Sequence, residues 1–274
     1  YRHLPTYEKI IRNLVSFYVK NYKKICEEEF SAYGFKRNGV VFIRVVNDVV
    51  QYWTIEKICA GRECRVSFAV YPICMPLDDK YDFVFGFESF ELRRFEASLL
   101  PFLNDPLDGW DIDPKSNESM DACVSDIVRY IKEYLIPFFD RTNNCGAIAQ
   151  SYIDLVELFK KNRLKALAAM GIADGKADLA MPLNFDPILL MRTTYYAALK
   201  SGDYSLALKC RKEIEREKVE ACERRGFMKQ HDIDALAKFR EEMAHLEAGD
   251  YDYFDKIIAE NEESTGKLLK SMLK

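Results

Sequence analysis

The chain has 274 residues, 49% of them hydrophobic and 13% aromatic, with a formal net charge of −4. This composition is too apolar for a disordered chain and too acidic for binding nucleic acid through its phosphates. No apolar run reaches the roughly 18 residues that span a bilayer, and the length favours two domains.

Residues Tyr7–Tyr33 read as one or two helices with Ile10, Ile11, Leu14, Phe17, Tyr18, Ile25 and Phe30 on a broad apolar face, closed by Gly34. Three β-rich segments follow, Val40–Val46, Val49–Cys59 and Cys64–Tyr71, joined by the turn pairs Asn47-Asp48 and Gly61-Arg62. Tight turns there set Phe42 against Trp53 and Ile55 against Phe68. One face is then dry, built from Val40, Phe42, Trp53, Ile55, Cys59, Cys64, Val66, Phe68 and Val70, with Arg44, Gln51 and Lys57 interrupting it. The opposite face is mixed, with Val41, Ile43 and Val45 beside Tyr52, Thr54, Glu56, Arg65 and Tyr71. Phe83–Phe87 offers a further strand and Glu88–Leu103 a helix stopped by Asn104-Asp105-Pro106. A loop rich in Asp, Pro and Gly precedes an amphipathic helix over Ser119–Phe139. Thr142–Gly146 is the expected domain boundary, giving an α+β domain over 1–145 and an all-α domain over 146–274.

Glu29-Phe30-Ser31-Ala32-Tyr33-Gly34-Phe35-Lys36-Arg37-Asn38-Gly39, with Phe42 and Val49–Trp53 behind it, resembles the bacterial domain of unknown function 4304 family over roughly residues 8–140. The resemblance implies a leading helix followed by antiparallel strands. It implies no catalytic residues, because that family has no assigned activity.

Beyond Gly146 helical patterns dominate: Ile148–Met170, Pro187–Lys200, Tyr204–Arg224, Ile233–Glu247 and Tyr251–Glu260, with a further helix possible to Leu273. Ala198-Leu199-Lys200-Ser201-Gly202-Asp203-Tyr204 returns as His245-Leu246-Glu247-Ala248-Gly249-Asp250-Tyr251. In each copy Gly ends one helix, Asp is placed to cap the next, and Tyr is placed to pack back into the hairpin. The junctions resemble tetratricopeptide-type hairpins, which present surface area and rarely carry chemistry.

No P-loop, G-x-G-x-x-G, G-x-S-x-G or H-E-x-x-H occurs. His3, His231 and His245 read as structural or surface residues. Asp105, Asp108, Asp111 and Asp113 form an acidic loop without the spacing of a calcium loop. Cys26, Cys59, Cys64, Cys74, Cys123, Cys145, Cys210 and Cys222 mostly fall at apolar positions, as packed thiols of a reducing, cytoplasmic protein do. Cys59 and Cys64 face each other in the expected register, which leaves a disulfide or a soft-metal site open beside the simpler reading. No cofactor or metal is expected.

Tyr52, Thr54, Glu56, Arg65 and Tyr71 are the candidate ligand- or partner-binding residues, with Glu56 and Arg65 diagonal neighbours on the mixed face. The expected function is non-catalytic binding of a protein or peptide, through that face or the helical repeat surface. The alternative is an enzyme or small-ligand binder with its site over the sheet.

Overall fold

The computed structural model describes residues 28–38, 41–58, 63–76, 90–91, 110–111, 113, 116–151 and 187–273. The fold is α+β, an antiparallel sheet followed by a largely helical region. The expected helix over Tyr7–Tyr33 falls mostly outside those residues. Its end is seen: a short 3-10 turn at Ser31–Tyr33 stops at Gly34, whose φ of 82° is the left-handed conformation that favours glycine.

Strands β1 (Lys36–Asn38), β2 (Val41–Val46), β3 (Val49–Ile58) and β4 (Glu63–Pro72) form an antiparallel meander. Two short strands, β5 (Phe90–Glu91) and β6 (Trp110–Asp111), pair with different stretches of β4. Strand β5 lies where the sequence predicts the opening of a helix, with Phe90 paired to Phe68 and Glu91 to Ser67. Phe83–Phe87 and residues 92–103 lie outside the described residues.

The β2–β3 register is the expected one, with Val46 opposite Val49 and Phe42 opposite Trp53. Asn47 turns the corner with φ 52°, a conformation Asn tolerates better than most residues. The β3–β4 register differs from expectation by two residues. Trp53 pairs with Phe68, Ile55 with Val66, and Ile58 with Glu63, so residues 59–62 form the connection in place of a two-residue turn. A two-residue slip leaves every side chain on its own face, so hydrophobic alternation does not distinguish the two pairings. Cys64 consequently stands opposite Lys57. Cys59 lies outside the described residues.

Phe42, Trp53, Ile55, Val66, Phe68 and Val70 are buried on one face. Phe42 stacks on Trp53 at 4.1 Å, and Phe30 meets the indole edge-on at 5.0 Å. The cover on this side is one amphipathic helical run: α1 (Asn117–Tyr130), a π-helical turn at Ile131–Leu135, and α2 (Ile136–Arg141). The Ser116 side chain caps it by accepting from the Ser119 amide at 3.1 Å. The π turn precedes Pro137, whose missing amide and bulky ring disfavour a regular helical turn there.

The polar interruptions on this face fasten the cover. Gln51 donates to the carbonyls of Phe139 and Thr142 and accepts from Arg44 Nε at 2.8 Å. Arg44 reaches Asp140 at 2.9 Å and lies over the Phe35 ring.

Most of the opposite face is buried as well: Val41, Ile43, Val50, Tyr52, Thr54, Ala69 and Tyr71 are enclosed, while Val45 beside the β2–β3 turn is 41% exposed. The sheet is therefore a central layer and not a half-solvated one.

The expected boundary at Thr142–Gly146 is a tight helix junction. Asn144 Oδ1 accepts from the Ala147 amide at 2.9 Å and starts the helix over 145–151. Asn47 donates to the Asn143 carbonyl at 2.8 Å, and Asp48 accepts from the Cys145 amide at 3.2 Å.

Helices α3 (Pro187–Ser201), α4 (Tyr204–Arg225), α5 (Gln230–Ala248) and α6 (Asp252–Met272) complete the described structure. Residues 193–199 of α3 are buried on every side, which places this helix at the centre. The repeated phrase makes the same turn twice. Asp203 N donates to Ala198 O and Asp250 N to His245 O, the six-to-one bond of a Schellman motif, with Gly202 and Gly249 left-handed.

The copies then diverge. Asp203 caps α4 by accepting from the Leu206 amide at 3.0 Å, whereas Asp250 is drawn to His245 Nδ1 at 2.7 Å and α6 starts without a side-chain cap. Helix α6 also runs unbroken to Met272. The helices share one hydrophobic core with the sheet, from Phe30 to Leu269. Asn261 on α6 donates to Cys74 O at 2.8 Å, and Arg192 on α3 donates to Pro76 O at 3.2 Å. Among the described residues no helix is long and apolar enough to cross a membrane.

Candidate functional site

The sheet does not gather the expected binding residues at a surface. Tyr52, Thr54 and Tyr71 are 3%, 6% and 3% exposed, and the Tyr71 hydroxyl donates to Met75 O at 2.8 Å, closing the turn after β4. The corrected register puts Glu56 directly opposite Arg65 and not diagonal to it, and their side chains lie outside the described ones. In the acidic loop Asp113 is exposed, while Asp105 and Asp108 lie outside the described residues. Among the described residues no group of three or more potential ligands is placed to hold a metal ion.

Two charged clusters in the helical region are what sequence reasoning missed. The first joins α3, α4 and α5. Arg211 and Glu242 are 4% and 2% exposed, and their Nη2–Oε2 separation is 2.5 Å. The same Glu242 oxygen accepts from the Tyr195 hydroxyl at 3.0 Å. The Arg211 guanidinium lies 3.7 Å over the Tyr195 ring and 4.6 Å from the centre of Phe239, a cation sandwiched between aromatic faces.

Burial is the largest influence on both phenols here and pushes Tyr195 and Tyr196 well above their ordinary values. Tyr195 therefore stays a neutral donor, and the carboxylate it serves is already matched by a guanidinium. Such an arrangement locks three helices in register. The signal for it was available: Arg211 falls in phase with Ala207, Cys210 and Ile214, and Glu242 in phase with Leu236, Phe239 and Leu246, both at core positions.

The second cluster closes the α4–α5 turn. Asp232 is buried and takes Lys218 Nζ at 2.6 Å, Arg225 Nη2, the Lys229 amide at 3.0 Å and His231 Nε2 at 3.2 Å. The side-chain bond from Lys218 comes first among the causes that hold this carboxyl far below its ordinary value. Gly226, with φ 79°, ends α4 and accepts no strain from a side chain there.

On this fixed turn three large apolar side chains face water: Phe227 is 53% exposed, Met228 47% and Ile233 48%. Cations frame them. Arg225 lies 4.8 Å and Lys229 5.9 Å from the Phe227 ring centre, and Arg224 is exposed beside them. The Phe227 carbonyl accepts from Arg225 Nε at 3.2 Å, so one arginine ties the turn to Asp232 and braces its aromatic residue. Phe227, Met228 and Ile233 thus stand exposed next to a buried ionic network.

Compared with protein-family models, with curated proteins and with solved structures, the chain matches none of them.

Proposed function

We propose that the chain is a non-catalytic protein-binding module whose contact surface is the α4–α5 tip. The observation that carries this reading is the grouping of Phe227, Met228 and Ile233 within seven residues of sequence, on a turn that Asp232 holds in place. Burying each such side chain contributes about 1.5–3 kcal/mol, enough for a few anchors to dominate an interface. The framing cations Arg224, Arg225 and Lys229 define the partner by complementarity: an apolar protein surface edged with carboxylates. The helical repeat surface is thus the favoured of the two contact faces that the sequence suggests. Burial of Tyr52, Thr54 and Tyr71 argues against the alternative of an enzyme or small-ligand site on the sheet. The buried free thiols of Cys74, Cys123, Cys145, Cys210 and Cys222 fit a reducing compartment.

The test compares the wild-type chain with Phe227→Ser/Ile233→Ser in capture from a lysate of the source cells, followed by titration of any differential protein in purified form. The reading requires a protein that binds the purified wild type with salt-sensitive affinity and binds the double variant at least tenfold more weakly. Equal capture by both, or retention of wild type on vesicles of anionic phospholipid with no protein partner, would overturn it.

A further inference from the structure

Helices α4 and α5 run between two ends of opposite chemistry. Helix α4 starts at Tyr204 and stops at Gly226, and α5 returns from Gln230 to Gly249, where Tyr251 stacks on Tyr204. The α4–α5 tip and the stacked tyrosines are thus separated by the length of α4, about 33 Å for its 22 residues.

At the tip the exposed Phe227, Met228 and Ile233 have Arg224, Arg225 and Lys229 around them. Glu223 and Asp234 stand in the flanking helices, and Asp234 is taken by Gln230 at 2.8 Å. At the other end Tyr251 is 39% exposed, and the turns that carry the ring pair also carry Asp203, Asp250, Asp252 and Asp255, all exposed. Lys209, Lys212 and Lys256 lie a turn or more further along their helices, and Lys212 is paired with Glu247 at 2.8 Å. Aromatic rings edged with carboxylates are a surface that arginine and lysine side chains engage, through ring faces and ion pairs together.

We propose that a second copy of this chain occupies the α4–α5 tip, seated by its Tyr204–Tyr251 end, an inference that rests on the tip being the contact surface. Charge complementarity selects this pairing. Tip against tip would set Arg224, Arg225 and Lys229 against their own counterparts, and two tyrosine ends would oppose carboxylate to carboxylate, so only unlike ends attract. A copy that uses its tip still offers its tyrosine end. The contact is therefore head-to-tail, and assembly continues past the dimer into a ring or an open filament. Each surface is one turn and its neighbours, at the small end of interface size, so affinity is micromolar or weaker and concentration controls assembly.

The test is sedimentation velocity of the purified full chain from about 5 to about 500 µM, at low and high salt. The mean mass should rise with concentration and pass that of a dimer. Raising salt from about 20 to about 500 mM should weaken the association at least tenfold. Phe227→Ser/Ile233→Ser and Asp252→Lys/Asp255→Lys should each be monomeric alone. An equal mixture of the two should form dimers and stop there, because one supplies an intact tyrosine end and the other an intact tip. The wild-type concentration and salt series decides even if a variant fails to fold. A wild type that stays monomeric throughout overturns the proposal, as does self-association that stops at a dimer or survives in either variant. If the monomeric wild type still binds another protein that Phe227→Ser/Ile233→Ser loses, the tip remains a contact surface with a different occupant, whereas equal capture by both chains overturns the tip itself.

Discussion

Tyr204 and Tyr251 lie face to face, ring centroids 3.7 Å apart and planes 5° from parallel. They are the closing residues of the two copies of the repeated phrase, so the repeat packs against itself through the residue that marks it. Near-parallel rings that overlap this closely gain less than offset or edge-on pairs, because their quadrupoles oppose. A double-mutant cycle with Tyr204→Ala and Tyr251→Ala, followed by urea unfolding, should give a coupling of about 0.5 kcal/mol, at the low end for aromatic pairs. Strict additivity would mean that the two turns are independent.

The Arg211–Glu242 pair makes an asymmetric prediction. Removing one partner strands a buried charge, so Glu242→Ala or Arg211→Ala should each cost about 3–5 kcal/mol. Replacing both with apolar residues, as in Arg211→Met/Glu242→Leu, should recover most of that loss. Denaturant melts of the three variants decide it, and a double variant no better than the singles would show the pair to be irreplaceable.

Asp232 sets the acid limb of the stability curve. Its carboxyl in the folded chain titrates well below the ordinary value of 3.8. Above about pH 5 the folded and unfolded chains are both ionised there, and the network's contribution is complete. As pH falls through 4 the unfolded chain takes up a proton that the folded chain refuses, so stability falls until the folded carboxyl is itself protonated. Asp232→Asn should be less stable at pH 7 and lose less stability between pH 5 and 3. Chemical denaturation across that range would read both slopes, and parallel curves would contradict the assignment.

Three glycines separate backbone effects from crowding. A Cβ at Gly202, Gly249 or Gly266 would meet nothing within 4 Å, yet the first two have φ of +78° and +72°. Gly202→Ala and Gly249→Ala should each cost about 1–2 kcal/mol from conformation alone. Gly266→Ala, inside α6, should add about 0.4–1 kcal/mol. Thermal melts giving the same sign at all three positions would refute the distinction.

What the sequence discloses depends on how local the deciding force is. The β2–β3 pairing is legible because a two-residue turn leaves one register, and it sets Phe42 on Trp53. The β3–β4 pairing is not, because length of the connection decides it and both candidates keep the same faces. Burial of the second face has a signal in the nearly unbroken apolar runs of β2 and β3, which suit a strand covered on both sides. Glu56 and Arg65 obscured that signal.

The helix ends are legible twice over, yet Asp250 departs from Asp203 because of one substitution within the repeated phrase. His245 stands where the first copy has Ala198, and it competes for the carboxylate. Arg211 and Glu242 were discoverable by phase, whereas exposure of Phe227 and Met228 follows from how α4 and α5 meet and has no local marker.

Among the described residues the sheet's outer strands are very short: β1 has three residues, and β5 and β6 two each. A neighbouring molecule seeking to add a strand beside β1 finds only a brief run of main-chain partners, too little to seed cross-molecule pairing.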